Sequence, residues 1–252
     1  MATDDRILRV IRAVNELGAC TVLDVHRATG ISRPAVYRIV DSLCEHGYLR
    51  RIPMDSRFRL TAEIRKLSSG YRDDAWIVDV GAPVIARLQQ EFRWPTSLAT
   101  PDKDKMIVRE TTRYRSPFVF DTGNVGMHLP ILRSSLGLAY ISFCSPRTRQ
   151  ITLALLRQSE HPDDRVARNR VETERLLRNT VRRGYGYREG GITPTTSSIS
   201  MPLIAERDVV GSICITFATS VVPQREAITQ FLPALREAAA EIACHVEVGP
   251  TV

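Results

Sequence analysis

Two short amphipathic segments joined by a tight turn, in residues 21–47, constrain this chain more than any other part of its sequence. In the first segment, Thr21 can cap a helix and Asp24 follows three residues later, which is the spacing of a capping box. Gly30 then supplies a C-terminal stop, and Ser32 can cap the second helix. Two helices joined by so short a turn, the second with a polar N-terminal face, are typical of a helix-turn-helix.

The second of these helices has one polar side. Its apolar stripe faces inward, and Pro34 falls in the first turn, where the missing N–H costs little. In a helix-turn-helix the N-terminal part of this helix enters the major groove of DNA. We therefore predict DNA contacts from Ser32, Arg33, Pro34, Tyr37 and Arg38. For Tyr37 an alternative stays open, because its ring can pack against the segment that follows.

A basic hairpin is predicted directly after the second helix. Residues 48–52 and 57–60 can form two short strands around the turn PMDS. Together with an amphipathic helix in residues 6–17, the hairpin completes a winged helix-turn-helix. The alternative is a three-helix protein–protein module with a solvated basic face. We predict that the hairpin holds DNA phosphates through Arg50, Arg51, Arg57 and Arg59.

Composition narrows the class of protein. The net charge is +7, and almost all of the basic residues are arginines. Arginine suits two-pronged recognition of phosphate and guanine, although a GC-rich genome gives the same bias.

The five cysteines form no C-x-x-C pair and none has a metal-like spacing from a histidine, so we predict reduced thiols, no metal and no cofactor. No apolar run approaches the ~20 residues of a membrane span, and the charged N-terminus lacks a signal-peptide core. We expect a cytoplasmic protein without a membrane partner.

Near residue 72 the spacing of apolar residues changes from a helical pattern to a mixture of helical and strand-like patterns. TSLAT and MIVRETT are predicted strands around the turn PDKDK, and further strands are predicted near 185–188, 196–204 and 209–218. Helices are predicted in 61–72, in 74–92 with a break or kink at Gly81 and Pro83, in the second half of LPILRSSLGLAYISFC, near 147–158 and 168–183, and from about Pro223 to Val246. Antiparallel strands flanked by helices make an α+β layer fold.

Signatures of enzymes are missing from the sequence. It has no glycine-rich phosphate loop, no G-x-S-x-G and no H-E-x-x-H, and its histidines are scattered. Cys214 lies mid-strand between apolar residues, which favours a buried or pocket-lining thiol over a nucleophile. We therefore predict that the protein is not an enzyme.

Two segments of the second half can line a sensor pocket, which needs apolar walls and a few polar anchors. A helix start in residues 132–137 would offer free backbone N–H groups to a carboxylate. On the strands, Ser198 and Ser200 can share one face, as can Cys214 and Thr216. The predicted effector contacts are Leu132, Ser134, Ser135, Leu136, Ser198, Ser200, Cys214 and Thr216.

The sequence indicates a charged partner for the ligand carboxylate less clearly than it indicates the other effector contacts. Arg109 or Arg133 can pair with it, and the alternative for both arginines is a surface or structural salt bridge. For the serines, a plain N-cap or strand hydrogen bond is the alternative to ligand contact.

The string TVLDVHRATGISRPAVYRIVDSLCEHGYLRR, followed by a hairpin that ends in FRLT, resembles the IclR family of bacterial transcriptional regulators. The likeness covers nearly the whole chain. RKLSSGYRDDAWI, WPTSLATPDKDKMIVRETT and LPILRSSLGLAYISFC are most similar to the branch that regulates aromatic-acid catabolism, of the 3-hydroxyphenylpropionate type. The resemblance implies a winged helix-turn-helix in residues 1–61, a linker helix in 62–72 and a GAF-like effector-binding domain in 73–248.

The resemblance also implies an effector site at the helix start and the strands named above, with contacts from Leu132, Ser135, Leu136, Ser198, Cys214 and Thr216. The loop GGITPTTSS departs from the acidic loop common in the family, which puts any anchor from this loop in doubt.

The sequence therefore predicts a ligand-responsive DNA-binding transcriptional regulator. We expect a homodimer or tetramer on a pseudo-palindromic operator, with an aromatic or small organic acid as effector. Two alternatives remain: an enzyme whose N-terminal helices serve as an interaction module, and a DNA-binding protein whose second domain only dimerises.

Overall fold

The computed structural model of the chain describes residues 3–53, 55–68, 76–118, 124–206 and 208–246. The chain divides into two units, residues 1–72 and 73–252. The first unit contains three helices and a hairpin: α1 Thr3–Leu17, α2 Val22–Thr29, α3 Arg33–Glu45, β1 Leu49–Arg51 and β2 Phe58–Leu60. These elements confirm the predicted helix-turn-helix and its hairpin.

Local chemistry fixes where α2 and α3 begin and end. The Thr21 N–H donates to Asp24 Oδ2 at 2.9 Å, and the Asp24 N–H donates to Thr21 Oγ1 at 3.3 Å, which is the predicted capping box. Gly30 ends α2 with a φ of 70°, a left-handed conformation that glycine adopts without steric cost. Ser32 occupies the N-cap position of α3, but its side chain makes no capping hydrogen bond. The Ser32 hydroxyl is thus left exposed for other contacts.

Phe58 anchors the hairpin to the three-helix core through both its side chain and its backbone. Phe58 is fully buried among the apolar residues of α1, α2 and α3. Its backbone pairs with Cys20, with N···O distances of 2.9 and 3.1 Å, in an isolated antiparallel bridge before α2. This double anchor holds the hairpin beside the end of α3. After it, the chain continues as a 3-10 helix, Ala62–Ser68, where the sequence predicts the linker helix; the predicted end of that helix at residues 69–72 lies outside the described residues.

The second unit contains a six-stranded antiparallel sheet with the strand order β5-β4-β3-β8-β7-β6. Its strands are β3 Thr96–Asp102, β4 Lys105–Thr111, β5 His128–Pro130, β6 Gly186–Glu189, β7 Thr196–Ala205 and β8 Asp208–Ala218. Its helices are α4 Ala82–Phe92, α5 Ser135–Phe143, α6 Pro146–Gln158, α7 Arg170–Arg183 and α8 Gln224–Ala243, with short 3-10 helices at Arg113–Arg115 and Pro162–Arg168. The α+β class, with an antiparallel sheet flanked by helices, is confirmed. None of the helices in the described ranges combines the length and apolar character needed to cross a bilayer.

The two faces of this sheet differ in chemistry because side chains alternate along each strand. On one face, Ile199 and Leu203 of β7 join Ile213 and Ile215 of β8 in an apolar core shared with α4 and α8. The opposite face carries small, mostly polar side chains and lies against α5: Ser198, Ser200, Ser212, Cys214 and Thr216. The predicted sharing of a face by Ser198 with Ser200, and by Cys214 with Thr216, is confirmed.

Small residues and hydroxyl groups let α5 approach the sheet closely. A Cβ added at Gly186 of β6 would lie 2.2 Å from the Ser135 carbonyl oxygen, so only glycine fits there. Ser200 Oγ donates to the same oxygen at 2.6 Å, and Ser212 Oγ donates to the Leu136 carbonyl at 3.0 Å. The first turn of α5 is therefore fixed onto the strands by both shape and hydrogen bonds.

The structure refines three predictions for this unit. The predicted break at Gly81 and Pro83 is a π-helical turn, Ile77–Gly81, that runs directly into α4, because a wider turn accommodates a proline that lacks an N–H. The predicted turn PDKDK is too long: β3 and β4 pair as far as Asp102 and Lys105. Strand β5, which was not predicted, is only three residues long and follows an irregular segment.

The capping geometry predicts different effects of two alanine substitutions. Thr21→Ala removes a side chain that satisfies an α2 backbone N–H, and should lower the free energy of unfolding by about 1 kcal/mol. Ser32→Ala removes a hydroxyl without a capping bond, and should lower it by much less. Urea unfolding followed by circular dichroism, in the transition of the N-terminal unit, measures both; equal losses would contradict the geometry.

Candidate functional site

The register of the hairpin separates its arginines into two groups. Leu49 pairs with Leu60, and Arg51 with Phe58, so these four residues share the inner face. Arg50 and Arg59 stand opposite each other on the outer face, and both are exposed. Like charges directly opposite each other repel, so this pair favours an anion between or above the two guanidinium groups.

The other two arginines of the hairpin have partners within the protein. Arg51 Nη2 lies 2.5 Å from Asp41 Oδ1 of α3, and Arg57 Nε lies 3.6 Å from Asp55 Oδ2 in the turn. The Arg51 pair links the hairpin to α3. The structure thus distinguishes Arg50 and Arg59 from Arg51 and Arg57, although the sequence predicts the same role for all four.

The outward side of α3 carries the remaining residues predicted to contact DNA. Ser32, Arg33, Pro34 and Arg38 are all exposed, and Tyr37 is 51% exposed. Val36, Val40 and Leu43 lie on the buried side of the same helix. The structure therefore places these five residues together at the N-terminal half of α3, where a recognition helix presents its contacts.

A small cavity lies between the start of α5 and the polar face of the sheet. Its volume is about 40 Å³, which is room for a few water molecules. It is lined by Pro95, Ser97, Val108, Leu129, Ser134, Ser135, Leu136, Arg188, Ile192, Ser198, Cys214 and Thr216. Of the predicted effector contacts, this cavity brings together Ser134, Ser135, Leu136, Ser198, Cys214 and Thr216.

Three predicted effector residues do not line this cavity. Leu132 is buried in the apolar cluster beneath α5, and Ser200 donates its hydroxyl to the Ser135 carbonyl. Arg109 is on β4 with the opposite orientation to the cavity-lining Val108, and donates to Thr100 Oγ1 at 3.1 Å. Arg133, the other arginine predicted to pair with the ligand carboxylate, forms a surface ion pair with Asp163 at 2.8 Å. The structure therefore brings neither predicted arginine to the cavity.

The cation at the cavity is Arg188 of β6, which was not among the predicted effector contacts. Only 9% of this residue is exposed. Its Nε donates to Ser198 Oγ at 3.2 Å, its Nη1 to the Thr196 carbonyl at 3.1 Å, and its Nη2 to Thr196 Oγ1 at 3.0 Å. The Gly190 and Thr193 carbonyls accept further bonds from Nη1. All of these acceptors are neutral oxygen atoms.

The charge of Arg188 is not balanced by any carboxylate in the described part of the chain. Burial lowers the pKa of its guanidinium, and the groups that act in the opposite direction are Cys214 and Tyr187. A guanidinium nevertheless remains protonated near neutral pH. A buried cation without a counter-charge is costly, and an anion in the cavity would offset that cost.

Polar groups continue from Arg188 to the start of α5. Ser198 Oγ lies 2.8 Å from Ser135 Oγ, so a hydrogen-bonded path joins the guanidinium to the helix. Ser134 caps α5, and its Oγ accepts the Gly137 N–H at 3.0 Å. The N–H groups of Ser135 and Leu136 lie in the first turn of α5, where no carbonyl of the same helix can accept their hydrogen bonds. Such N–H groups give the N-terminus of a helix a partial positive charge. The wall of the cavity therefore combines two features that attract a carboxylate.

The signal for Arg188 becomes visible only when β6 is paired with β7, which the sequence alone does not give. Strand β6 alternates, with Gly186 and Arg188 buried and Tyr187 and Glu189 more exposed. An arginine with the same orientation as a buried glycine is unusual, because arginine is rarely buried unless it has a partner. The cross-strand partner of Arg188 is Ser198, a residue that was predicted to contact the ligand.

Cys214 is suited to packing and not to nucleophilic chemistry. Burial raises the pKa of its thiol to about 11, and Thr216 Oγ1 lies 4.0 Å from its Sγ. A thiol with this pKa is protonated near neutral pH, and the thiolate is the reactive form. Within the described ranges, no group of three or more histidine, cysteine, aspartate or glutamate side chains is arranged to hold a metal ion.

Two family profiles match this chain. The profile of the IclR helix-turn-helix domain matches residues 5–53, which contain α2, α3, β1 and all but the first two residues of α1. The profile of the bacterial transcriptional regulator IclR C-terminal domain matches residues 70–244, which contain the whole sheet of the second unit.

Individual proteins are more distantly similar. The HTH-type transcriptional regulator TsaQ1/TsaQ2 of Comamonas testosteroni is 23% identical over 177 residues, or 70% of this chain, which spans only 63% of that relative's length. An IclR homolog from Microbacterium hydrocarbonoxydans, solved in complex with 4-hydroxybenzoate, has a TM-score of 0.64 and 24% identity over 96% of this chain and 98% of its own. The Thermotoga maritima IclR has a TM-score of 0.66 and 15% identity, over 96% of each chain.

The raised pKa of Cys214 leads to a labelling prediction. Below a pH of about 11 its thiol stays neutral, and it is almost fully buried, whereas Cys244 is exposed. Iodoacetamide at about pH 8 should therefore modify Cys244 first and leave Cys214 unmodified until the protein is unfolded. Mass spectrometry of tryptic peptides locates the label; rapid modification of Cys214 in the native protein would contradict the assignment.

Proposed function

The chain belongs to the IclR family of bacterial transcriptional regulators, and from this premise we propose that it is a DNA-binding regulator that responds to a small carboxylic acid. In this proposal residues 1–61 bind DNA, residues 62–72 link the domains and residues 73–248 bind the effector. The protein acts in the cytoplasm as a homodimer or tetramer, and needs no cofactor. Its operator is pseudo-palindromic, with half-sites about 34 Å, or a multiple of that distance, apart.

Two surfaces of the first unit divide the task of binding DNA. The exposed N-terminal half of α3 presents Arg33, Tyr37 and Arg38 to base edges or nearby phosphates. The opposed Arg50 and Arg59 of the hairpin hold the phosphate backbone, which positions the protein without reading sequence. Arg51 supports this arrangement indirectly, because its ion pair with Asp41 fixes the hairpin against α3.

The observation that carries the effector proposal is the uncompensated guanidinium of Arg188 beside the start of α5. A ligand carboxylate would accept hydrogen bonds from Arg188 and from the Ser135 and Leu136 N–H groups. The hydroxyls of Ser198 and Thr216 would hold its other polar atoms. Leu129 and Ile192 would then cover the apolar part of the ligand.

The size of the cavity bears on the identity of the effector. About 40 Å³ suits a carboxylate with a short chain, and an aromatic acid needs a wider space. Ile192 belongs to the connection between β6 and β7, so a shift of this connection would widen the cavity without moving the sheet. The likeness to the TsaQ regulator and to a homolog bound to 4-hydroxybenzoate is compatible with an aromatic acid. We therefore propose control of a catabolic operon for an aromatic or small organic acid.

Substitution of Arg188 tests the effector proposal. A thermal-shift screen of short aliphatic, hydroxybenzoic and hydroxyphenylpropionic acids should identify a ligand, because a compound at 100 times its Kd adds about 2.7 kcal/mol of stability. Arg188→Gln removes a charge-assisted hydrogen bond and should weaken that ligand by roughly 10- to 100-fold in calorimetry. Arg133→Gln, which breaks only a surface ion pair, is the control and should bind normally. Equal affinities of Arg188→Gln and the wild-type protein would contradict the proposal.

The hairpin register predicts how DNA affinity responds to two kinds of substitution. Replacing Arg50 and Arg59 together with glutamine should weaken binding on the order of tenfold at one fixed salt concentration, to the same degree for every duplex sequence. Arg51→Gln should weaken it less, because that guanidinium already pairs with Asp41. Fluorescence anisotropy with duplexes selected from a random library measures both; a larger loss from Arg51→Gln would reverse our assignment.

A further inference from the structure

A cleft on the first unit, between α1 and the turn that leads into α3, is lined by two arginines of the first helix. Its volume is about 330 Å³, and it is lined by Arg6, Arg9, Thr29, Gly30, Ile31 and Ser32. The first two residues belong to α1, and the others form the end of α2 and the turn into α3. No carboxylate belongs to this lining, so the cleft is positively charged.

The two arginines have different roles in this cleft. Arg9 donates to the Thr29 carbonyl at the end of α2 and lies 4.0 Å from Asp5, so its side chain holds α1 against the turn. Arg6 is half-buried, and no ion pair or hydrogen bond joins its guanidinium to another residue in the described ranges. Arg6 is therefore the cation in the cleft that is available to a ligand.

The other wall of the cleft offers a hydroxyl donor. Ser32 occupies the N-cap position of α3, yet its Oγ accepts no backbone N–H. Its exposed hydroxyl and the Arg6 guanidinium therefore line the same cleft, with donors for an anion on both sides. A guanidinium and a hydroxyl are groups that commonly contact phosphate oxygens of DNA.

The position of the cleft identifies the source of that phosphate. It adjoins the first residue of α3, the end of the helix that a helix-turn-helix inserts into the major groove, and the strands of the duplex pass on either side of that end. We propose that this cleft binds a phosphodiester of the DNA backbone through Arg6 and Ser32, with Arg9 as the residue that positions the wall. The inference rests on the proposed DNA binding and adds Arg6 of α1 to the residues that contact the duplex.

The salt dependence of binding gives a direct test, because each lost phosphate contact reduces the slope of log K against log salt concentration by about 0.9 per bound chain. Arg6→Gln should reduce the slope by this amount and weaken all duplex sequences equally. Arg6→Lys keeps the charge and should retain most of the slope. Arg12→Gln is the matched control, since it removes an exposed arginine of the same helix that does not line the cleft, and its slope should equal that of the wild-type protein.

Other outcomes overturn the inference in distinguishable ways. If the wild-type protein binds DNA and Arg6→Gln has an unchanged slope, the cleft has no phosphate contact. If Arg12→Gln loses as much slope as Arg6→Gln, the effect is one of net charge and the cleft is not a site. If inorganic phosphate raises the Tm of the wild-type protein, and not that of Arg6→Gln, while the DNA slope is unaltered, the cleft is a site for free anions. If the wild-type protein binds no duplex at all, the proposed function fails and this contact fails with it.

Discussion

The close contact between the first turn of α5 and the sheet determines most of what the second unit can do. It depends on the missing side chain of Gly186, and on two serine hydroxyls that satisfy the Ser135 and Leu136 carbonyls. Because those carbonyls bond to the strands, the helix start is held at a fixed distance from the polar face of the sheet. The cavity lies in the remaining gap, and so its walls are rigid on two sides. Besides the N-cap residue Ser134, Pro95 and the connection that carries Ile192 border the cavity without belonging to the sheet or a helix.

A second constraint acts through unbalanced charge. In both units the arginines proposed to bind ligands have no carboxylate partner among the described residues: Arg6, Arg33, Arg38, Arg50, Arg59 and Arg188. Those with carboxylate partners have structural positions, as Arg51 does beside Asp41 and Arg133 beside Asp163. Exposed ion pairs of this kind contribute little to stability, but they hold side chains in place. Pairing therefore separates structural arginines from arginines that remain available to anions.

Much of the fold could be predicted because its signals are local. A capping box at Thr21 and Asp24, and a glycine at the end of α2, mark helix boundaries within a few residues of chain. The alternation of Ser198 with Ser200 likewise placed the polar face of β7. The site itself was predicted less completely, because Arg188 reaches the cavity through the pairing of β6 with β7. Which of several arginines enters a cavity depends on strand order and on bulges such as the one at Leu98 and Ala99, and these follow from long-range packing.

The opposed arginines of the hairpin have a consequence for the free protein. Arg50 and Arg59 repel each other in every folded molecule that is not bound to an anion, so the hairpin is held together against this repulsion by Phe58 and its bridge to Cys20. Added salt screens the repulsion and so stabilises the unbound hairpin, while it would weaken the proposed attraction to a duplex. In the proposed function, ionic strength thus acts with opposite sign on the same two side chains, and the proposed affinity for nucleic acid comes at the expense of local conformational stability.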